Sequence, residues 1–224
     1  MHLTLDKARP QALCDRLHRA RSWIHAANAL PVDQRHAQFA FFYIAFNALY
    51  GHRRYEGSKE ENARDRDEFL KRMRALRDYE RRVGQDSIKK ALDQCQDQCG
   101  RLILNHFLRD TYWRKEKTSR ELQREFARQR RAADGALIKG CYDLQLDFVL
   151  NRLNVLRNQV FHGCVTYGQR SKGLPSLVDG LAVIRELVPA FYALMDKYGE
   201  QVHWPAIPYP RVGSSAHPTV DEWE

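Results

Sequence analysis

Arg157, Asn158 and His162 fall within the eight residues LRNQVFHG, at the end of a long segment with helical apolar spacing. Their types suggest one chemistry. A histidine titrates near neutrality, so it can take the proton of a ribose 2′-hydroxyl and return one to a leaving oxygen. An arginine stays charged and forks onto two phosphate oxygens, which suits it to the charge that builds on a phosphorane. Together they are equipment for cleaving RNA without a metal ion. Five residues apart, the two side chains diverge by about 140° on an ideal helix. Gly163 follows as a C-terminal cap, where the helix can unwind and swing the imidazole toward Arg157. The negative end of the helix also favours imidazolium there. Leu156, Val160 and Phe161 read as core.

The bare pairing is not distinctive in this chain. Arginine and histidine stand at similar separations in Arg19/His25, Arg101/His106 and Arg211/His217, and the chain has nine histidines. His106 lies along an apolar seam, where packing or a hydrogen bond is the expected role. Cys95 and Cys99 share a helix face, a spacing seen in metal sites. Ile88, Leu92 and Leu102 continue the same seam, so both thiols are expected in the core, reduced and without metal. No glycine-rich phosphate loop, GxSxG or HExxH occurs, which removes the common nucleotide, hydrolase and metalloprotease templates. No metal or cofactor is expected.

The elements that must position the trio are helical. Leu13, Leu17, Ala20, Ile24 and Ala27 form one stripe, and Pro31 stops it. Leu146, Val149, Leu153, Leu156 and Val160 form a second stripe. Leu177, Leu181, Ile184, Val188, Phe191 and Met195 form a third. QFAFFYIAFNALYG, residues 38–51, is apolar nearly all round and reads as the centre of the core. Asn47 is its one strongly polar interior residue. A buried amide needs partners, supplied by a neighbouring backbone or by a polar group that Asn47 orients from another helix.

Residues 52–140 are richer in charge and still helical, with breaks near Gly84, around Asp110 and at Thr118. There TSRE forms a capping box of Thr118 and Glu121. The spacing predicts helices near 11–30, 34–51, 142–162 and 176–198 packed as one bundle, with 52–140 as helical excursions from it. Residues 1–198 then form a single domain, and 199–224 an extended tail pinned by Trp204 and Tyr209. The expected class is all-α, a four-helix bundle with a large helical insertion between its second and third core helices.

Charge and composition narrow the setting. The formal net charge is +9, and residues 109–131 hold nine Lys and Arg against four Asp and Glu. Such an excess attracts polyanions such as RNA, although interleaved acids also suit a solvated helix face. No apolar run approaches the roughly 20 residues of a membrane span. The N-terminal residues lack the apolar core of a signal peptide, and five cysteines fit a reducing compartment, so the cytoplasm is expected.

LRNQVFHG, with asparagine after the arginine and glycine after the histidine, resembles the signature of HEPN domains. FAFFYIAFNALYG resembles the second-helix segment of a subgroup of prokaryotic HEPN-like proteins. HWPAIPYPRV is similar to the C-terminal tail of that subgroup. The resemblance covers residues 35–51 and 142–212, while 52–140 resembles nothing nameable. It implies an up-and-down α-helical bundle that dimerises and brings two motifs into one cleft. It further implies a metal-independent endoribonuclease of the kind found among toxins and antiviral effectors, with a neutralising protein partner in some cases. Arg157 and His162 would be its catalytic pair and Asn158 the residue that tunes them. Other members of the superfamily are non-catalytic modules that bind RNA, a nucleotide or a protein, which is the alternative reading.

Overall fold

A computed structural model describes residues 9–51, 59–113, 118–138, 140–164 and 174–207. Among the described residues the chain is all-α, with nine helices and no strand. They are α1 (Gln11–Ala29), α2 (Arg35–Tyr50), α3 (Lys59–Arg81), α4 (Ser87–Gln94), α5 (Gln96–Leu104), α6 (Asp110–Trp113), α7 (Ser119–Ile138), α8 (Tyr142–Phe161) and α9 (Leu174–Tyr198). A 3-10 turn, His106–Leu108, precedes α6. No described helix is long and apolar enough to cross a membrane.

Local chemistry sets the boundaries. Leu30 is extended, as a residue before proline must be, and α1 ends there. Gly84, at φ +73°, closes the turn after α3. The Asp86 carboxylate then accepts the Lys89 backbone N–H at 2.9 Å and caps α4. The capping box at α7 forms as read: the Glu121 carboxylate accepts from the Thr118 N–H at 2.9 Å, and the Thr118 hydroxyl accepts from the Glu121 N–H.

The centre of the core differs from the expected one. Helix α9, not α2, is the hub, packing against α1, α2, α3, α4, α5 and α8. Its six-residue stripe is wholly buried, and so are Asp179, Gly180, Val183, Leu187 and Leu194 on its other sides. Gly180 permits the close crossing of α8: a Cβ there would collide with Leu156 Cδ2 and press on the Phe39 ring at 3.3 Å.

The stretch 52–140, expected as excursions, supplies part of the same core. Phe69 of α3 packs edge-on against Phe191 of α9 at 5.3 Å and against Phe46 of α2 at 5.8 Å. Ile88, Leu92, Cys95, Cys99 and Leu102 are all buried, and α4 and α5 pack on α9. The seam runs through a break at Cys95 (φ −124°, ψ 32°) that the periodicity did not show. The two sulfurs lie 3.6 Å apart, and the Cys95 thiol reaches the Ala91 carbonyl at 3.1 Å. Among the described residues, no group of three or more His, Cys, Asp or Glu is placed to hold a metal ion.

Two buried arginines tie the helices together. Arg77 is 1% exposed and pairs with Asp86 at 2.8 Å and with Asp143, joining α3, the cap of α4 and the start of α8. Arg16 donates to the carbonyls of Leu49 and Gly51 at the end of α2, and to that of Pro205 beyond α9. Trp204 is buried and donates to the Gly199 carbonyl at 2.7 Å, so the start of the tail is pinned. Tyr209 lies outside the described residues.

Candidate functional site at the end of α8

The apolar stripe of α8 points into the core, with Leu153 and Leu156 against Gly180 of α9, and this rotation sets where the motif side chains emerge. Leu146, Val149, Leu153 and Leu156 are buried, and Val160 is half-buried. Phe161 is not core as expected: it is 45% exposed at the last turn. The Arg157 guanidinium lies over its ring, 4.8 Å from the centroid. On its other flank stands Tyr43 of α2, with the guanidinium 5.8 Å from that ring. Arg157 Nη1 donates to Asn158 Oδ1 at 2.9 Å. Its Nε is buried without a partner. Among the described residues no carboxylate pairs with Arg157. The cation is therefore aimed by rings and an amide, none of which neutralises it.

His162 is exposed and occupies the C-cap of α8. Gly163 takes the left-handed conformation, φ +70°. Its N–H bonds to the Val160 carbonyl at 3.2 Å, and the Cys164 N–H bonds to the Gln159 carbonyl at 2.8 Å. These two bonds make a Schellman motif, so the expected glycine cap is present. The helix does not unwind before it: the His162 N–H still bonds to the Asn158 carbonyl at 3.0 Å. Arg157 and His162 share no hydrogen bond among the described residues. By helical register His162 shares a face with Gln159, three residues back. The Gln159 amide donates to the Phe107 carbonyl of the 3-10 turn at 3.0 Å. Arg157 thus leans toward α2, and His162 emerges on the side of residues 106–108.

Asn47 lies four residues after Tyr43 and shares its face of α2. Its Oδ1 is buried with no hydrogen-bond partner, so the bond expected of that oxygen is not made. The polar link from α2 to α8 comes from a different residue: the Tyr43 hydroxyl donates to Asn154 Oδ1 at 3.2 Å. Burial pushes the Tyr43 and Tyr50 phenols up, against the opposing charges of Arg157 and Arg66. Sequence reasoning missed Tyr43, Asn154 and Gln159. Asn154 had a signal, a polar residue four positions before Asn158 inside an apolar seam. Tyr43 had none, because it reads as one more aromatic in α2.

A groove of about 420 Å³ between α3 and α8 is lined by Arg66, Lys71, Arg74, Asp147 and Asn151, among others. Arg74 is bound to Asp147 at 3.0 Å. A larger cavity, about 650 Å³, lies at the α3–α4 turn and is lined by none of the motif residues.

Of the other arginine–histidine pairs, Arg101/His106 is engaged elsewhere. Arg101 forks onto Asp179, and His106 packs among Phe107, Tyr112 and Phe126, as its seam position implied. His25 is exposed on α1, and Arg211/His217 lies outside the described residues. No family model, no curated protein and no solved structure matches the chain.

Proposed function

We propose that the protein is a metal-independent endoribonuclease of HEPN type, built as a four-helix up-and-down bundle of α1, α2, α8 and α9 with α3–α7 inserted. The observation that carries this reading is the state of Arg157. Among the described residues it is a cation with no carboxylate partner and an unpartnered Nε, about one and a half turns before an exposed histidine on a glycine cap. The guanidinium as a whole is only half-buried, and a phosphate oxygen would answer its charge. In the reaction His162 takes the 2′-hydroxyl proton, and the 2′-oxygen bonds to phosphorus. The bond from phosphorus to the 5′-oxygen breaks, and that oxygen is protonated as it leaves. The products are a 2′,3′-cyclic phosphate and a 5′-hydroxyl. Asn158, bonded to Arg157, positions the guanidinium.

One protomer offers a single Arg157/His162 pair, with the two side chains directed to different sides of α8. A two-fold dimer that faces two such turns across one cleft supplies the second set of groups. RNA is the substrate and the cytoplasm the setting of this reading, with toxin or antiviral-effector biology and a neutralising protein as its context. A second reading, a non-catalytic module for RNA, a nucleotide or a protein, is favoured by the absence of any bond between Arg157 and His162. The experiment that separates them is incubation of total RNA with the protein in EDTA, wild type beside His162→Ala. Cleavage by the wild type alone supports the enzyme. Intact RNA in both lanes, with RNA still bound, supports the module.

A further inference from the structure

Five rings gather where the 3-10 turn and α6 meet α7: His106, Phe107, Tyr112, Trp113 and Phe126. Tyr112 lies edge-on to Phe107 and to Trp113, each at 5.1 Å, and stacks on Phe126 at 6.3 Å. Large aromatics grouped this way normally bury themselves, yet Phe107 is 47% and Trp113 56% exposed. Trp113 is not loose. Its indole N–H donates to the Phe107 carbonyl at 2.8 Å, and the same carbonyl accepts from Gln159 of the LRNQVFHG turn. The exposed rings are therefore fixed to each other and to the motif through one oxygen.

The ground beneath them is cationic. Arg109 is 3% exposed, lies 4.9 Å from the centroid of the Phe126 ring and carries an unpartnered Nε. Arg152 is 5% exposed, with its Nε on the Ile103 carbonyl. The two guanidiniums act on each other as like charges, after burial the next influence on Arg152. The hydrogen bonds shown for both go to backbone carbonyls, and the Glu125 carboxylate acts on Arg109 alone of the two, which leaves a net positive charge. An apolar protein partner would gain nothing from that charge. A nucleic-acid strand would, because its bases stack on exposed rings while its phosphates respond to the field.

We infer that Phe107 and Trp113 form a stacking platform for unpaired bases of an RNA strand, holding a single-stranded segment beside His162. This rests on the ribonuclease reading for the kind of strand, and it names the substrate as single-stranded. Duplex bases are already stacked and cannot use the platform.

The test is fluorescence anisotropy of a labelled 12-residue oligouridylate with full-length His162→Ala protein in EDTA, which binds without cutting. Trp113→Ala and Phe107→Ala should each weaken binding by about 5- to 100-fold, the range of base–aromatic stacking. Trp113→Phe should recover most of the loss. Tryptophan emission should be quenched by the oligonucleotide, and the quench should vanish in Trp113→Phe but persist in Trp23→Phe. In protein with His162 intact, Trp113→Ala should raise KM and spare kcat. Native melting and wild-type affinity in the Phe107→Ala/Trp113→Ala double variant would overturn the platform even if the enzyme cuts RNA. A double variant that turns a dimer into a monomer while binding RNA normally would make the patch a protein interface and overturn it too. Quenching at Trp113 in a wild type that never cuts would leave the platform standing and remove the nuclease.

Discussion

Arg77 and Arg157 are two arginines held by the same helix, α8, at opposite ends, and they are treated in opposite ways. Arg77 reaches α8 at its start, through Asp143, and its charge is fully answered: Asp86 takes Nε and Nη2 at 3.0 and 2.8 Å. It is 1% exposed. Arg157 is half-buried at the far end, bonded to its own neighbour and flanked by two rings, with Nε unanswered. A folded chain gains from completing such networks. Arg77 is answered by carboxylates from within the fold, whereas Arg157 is answered only by an amide and two rings among the described residues.

The sharpest break of this comparison is chemical. His162→Ala should lower RNA cleavage by at least 10²–10⁴-fold, and Arg157→Ala comparably, with melting temperatures near wild type. Arg157→Lys should not restore the rate, since an ammonium cannot fork onto two oxygens. Equal single-turnover rates for wild type and folded His162→Ala would falsify the assignment. Arg77→Ala should do the reverse. Asp86 keeps Arg81 and the Lys89 N–H, and Asp143 is half-exposed, so losing the buried guanidinium should cost about 1–3 kcal/mol in urea unfolding, while the molecules still folded cleave at the usual rate. A stable Arg77→Ala protein with no activity would reverse the two roles.

A smaller effect separates the cap from the pair. Gly163→Ala places a Cβ in the left-handed region and should cost about 1–2 kcal/mol. Gly163→Asn should cost less, because asparagine tolerates that conformation. Cleavage should fall in the same order, read as kcat at constant folded fraction. The smallest effect is a pH slope. Burial works to raise the Asp86 carboxyl, but hydrogen bonds from Arg77, the Lys89 backbone N–H and Arg81 outweigh it and hold the group below its usual range. A depressed carboxylate contributes stability above its unfolded pKa, about 3.9, and loses it as pH falls through the folded value. Stability of the wild type should therefore drop more steeply below about pH 4 than that of Asp86→Asn, by urea midpoints across that window.

The Arg77 knot was invisible in the sequence, whereas the LRNQVFHG turn was legible at once. Its glycine, histidine and arginine are local, and a local cap follows from local chemistry. Arg77 meets Asp86 and Asp143 only because the turn at Gly84 folds α4 back and α8 returns 66 residues later. Helical stripes were readable to within two residues at α1, α2, α8 and α9, because periodicity reports which face is apolar. It does not report how many neighbours a helix has, and so the place of α9 as the hub did not show in its stripe. The break at Cys95 was hidden for a related reason, since Ile88, Leu92, Cys95, Cys99 and Leu102 keep their phase across it. Phe161 was placed inside because a phenylalanine in an apolar turn gives no hint that a guanidinium will cover it.

The Arg16 bonds bear on how the molecule can be shortened. By composition the residues after Tyr198 look dispensable, a proline-rich appendage suited to trimming before crystallisation or fusion. Yet the Pro205 carbonyl answers a guanidinium that is 1% exposed, beside the buried Trp204 ring at 5.8 Å. Cutting the chain at 203 would leave that charge facing an empty socket between the start of α1 and the end of α2. The safe cloning boundary lies past Ile207, itself buried, and a cut at 203 should surface in the insoluble fraction of an expression trial.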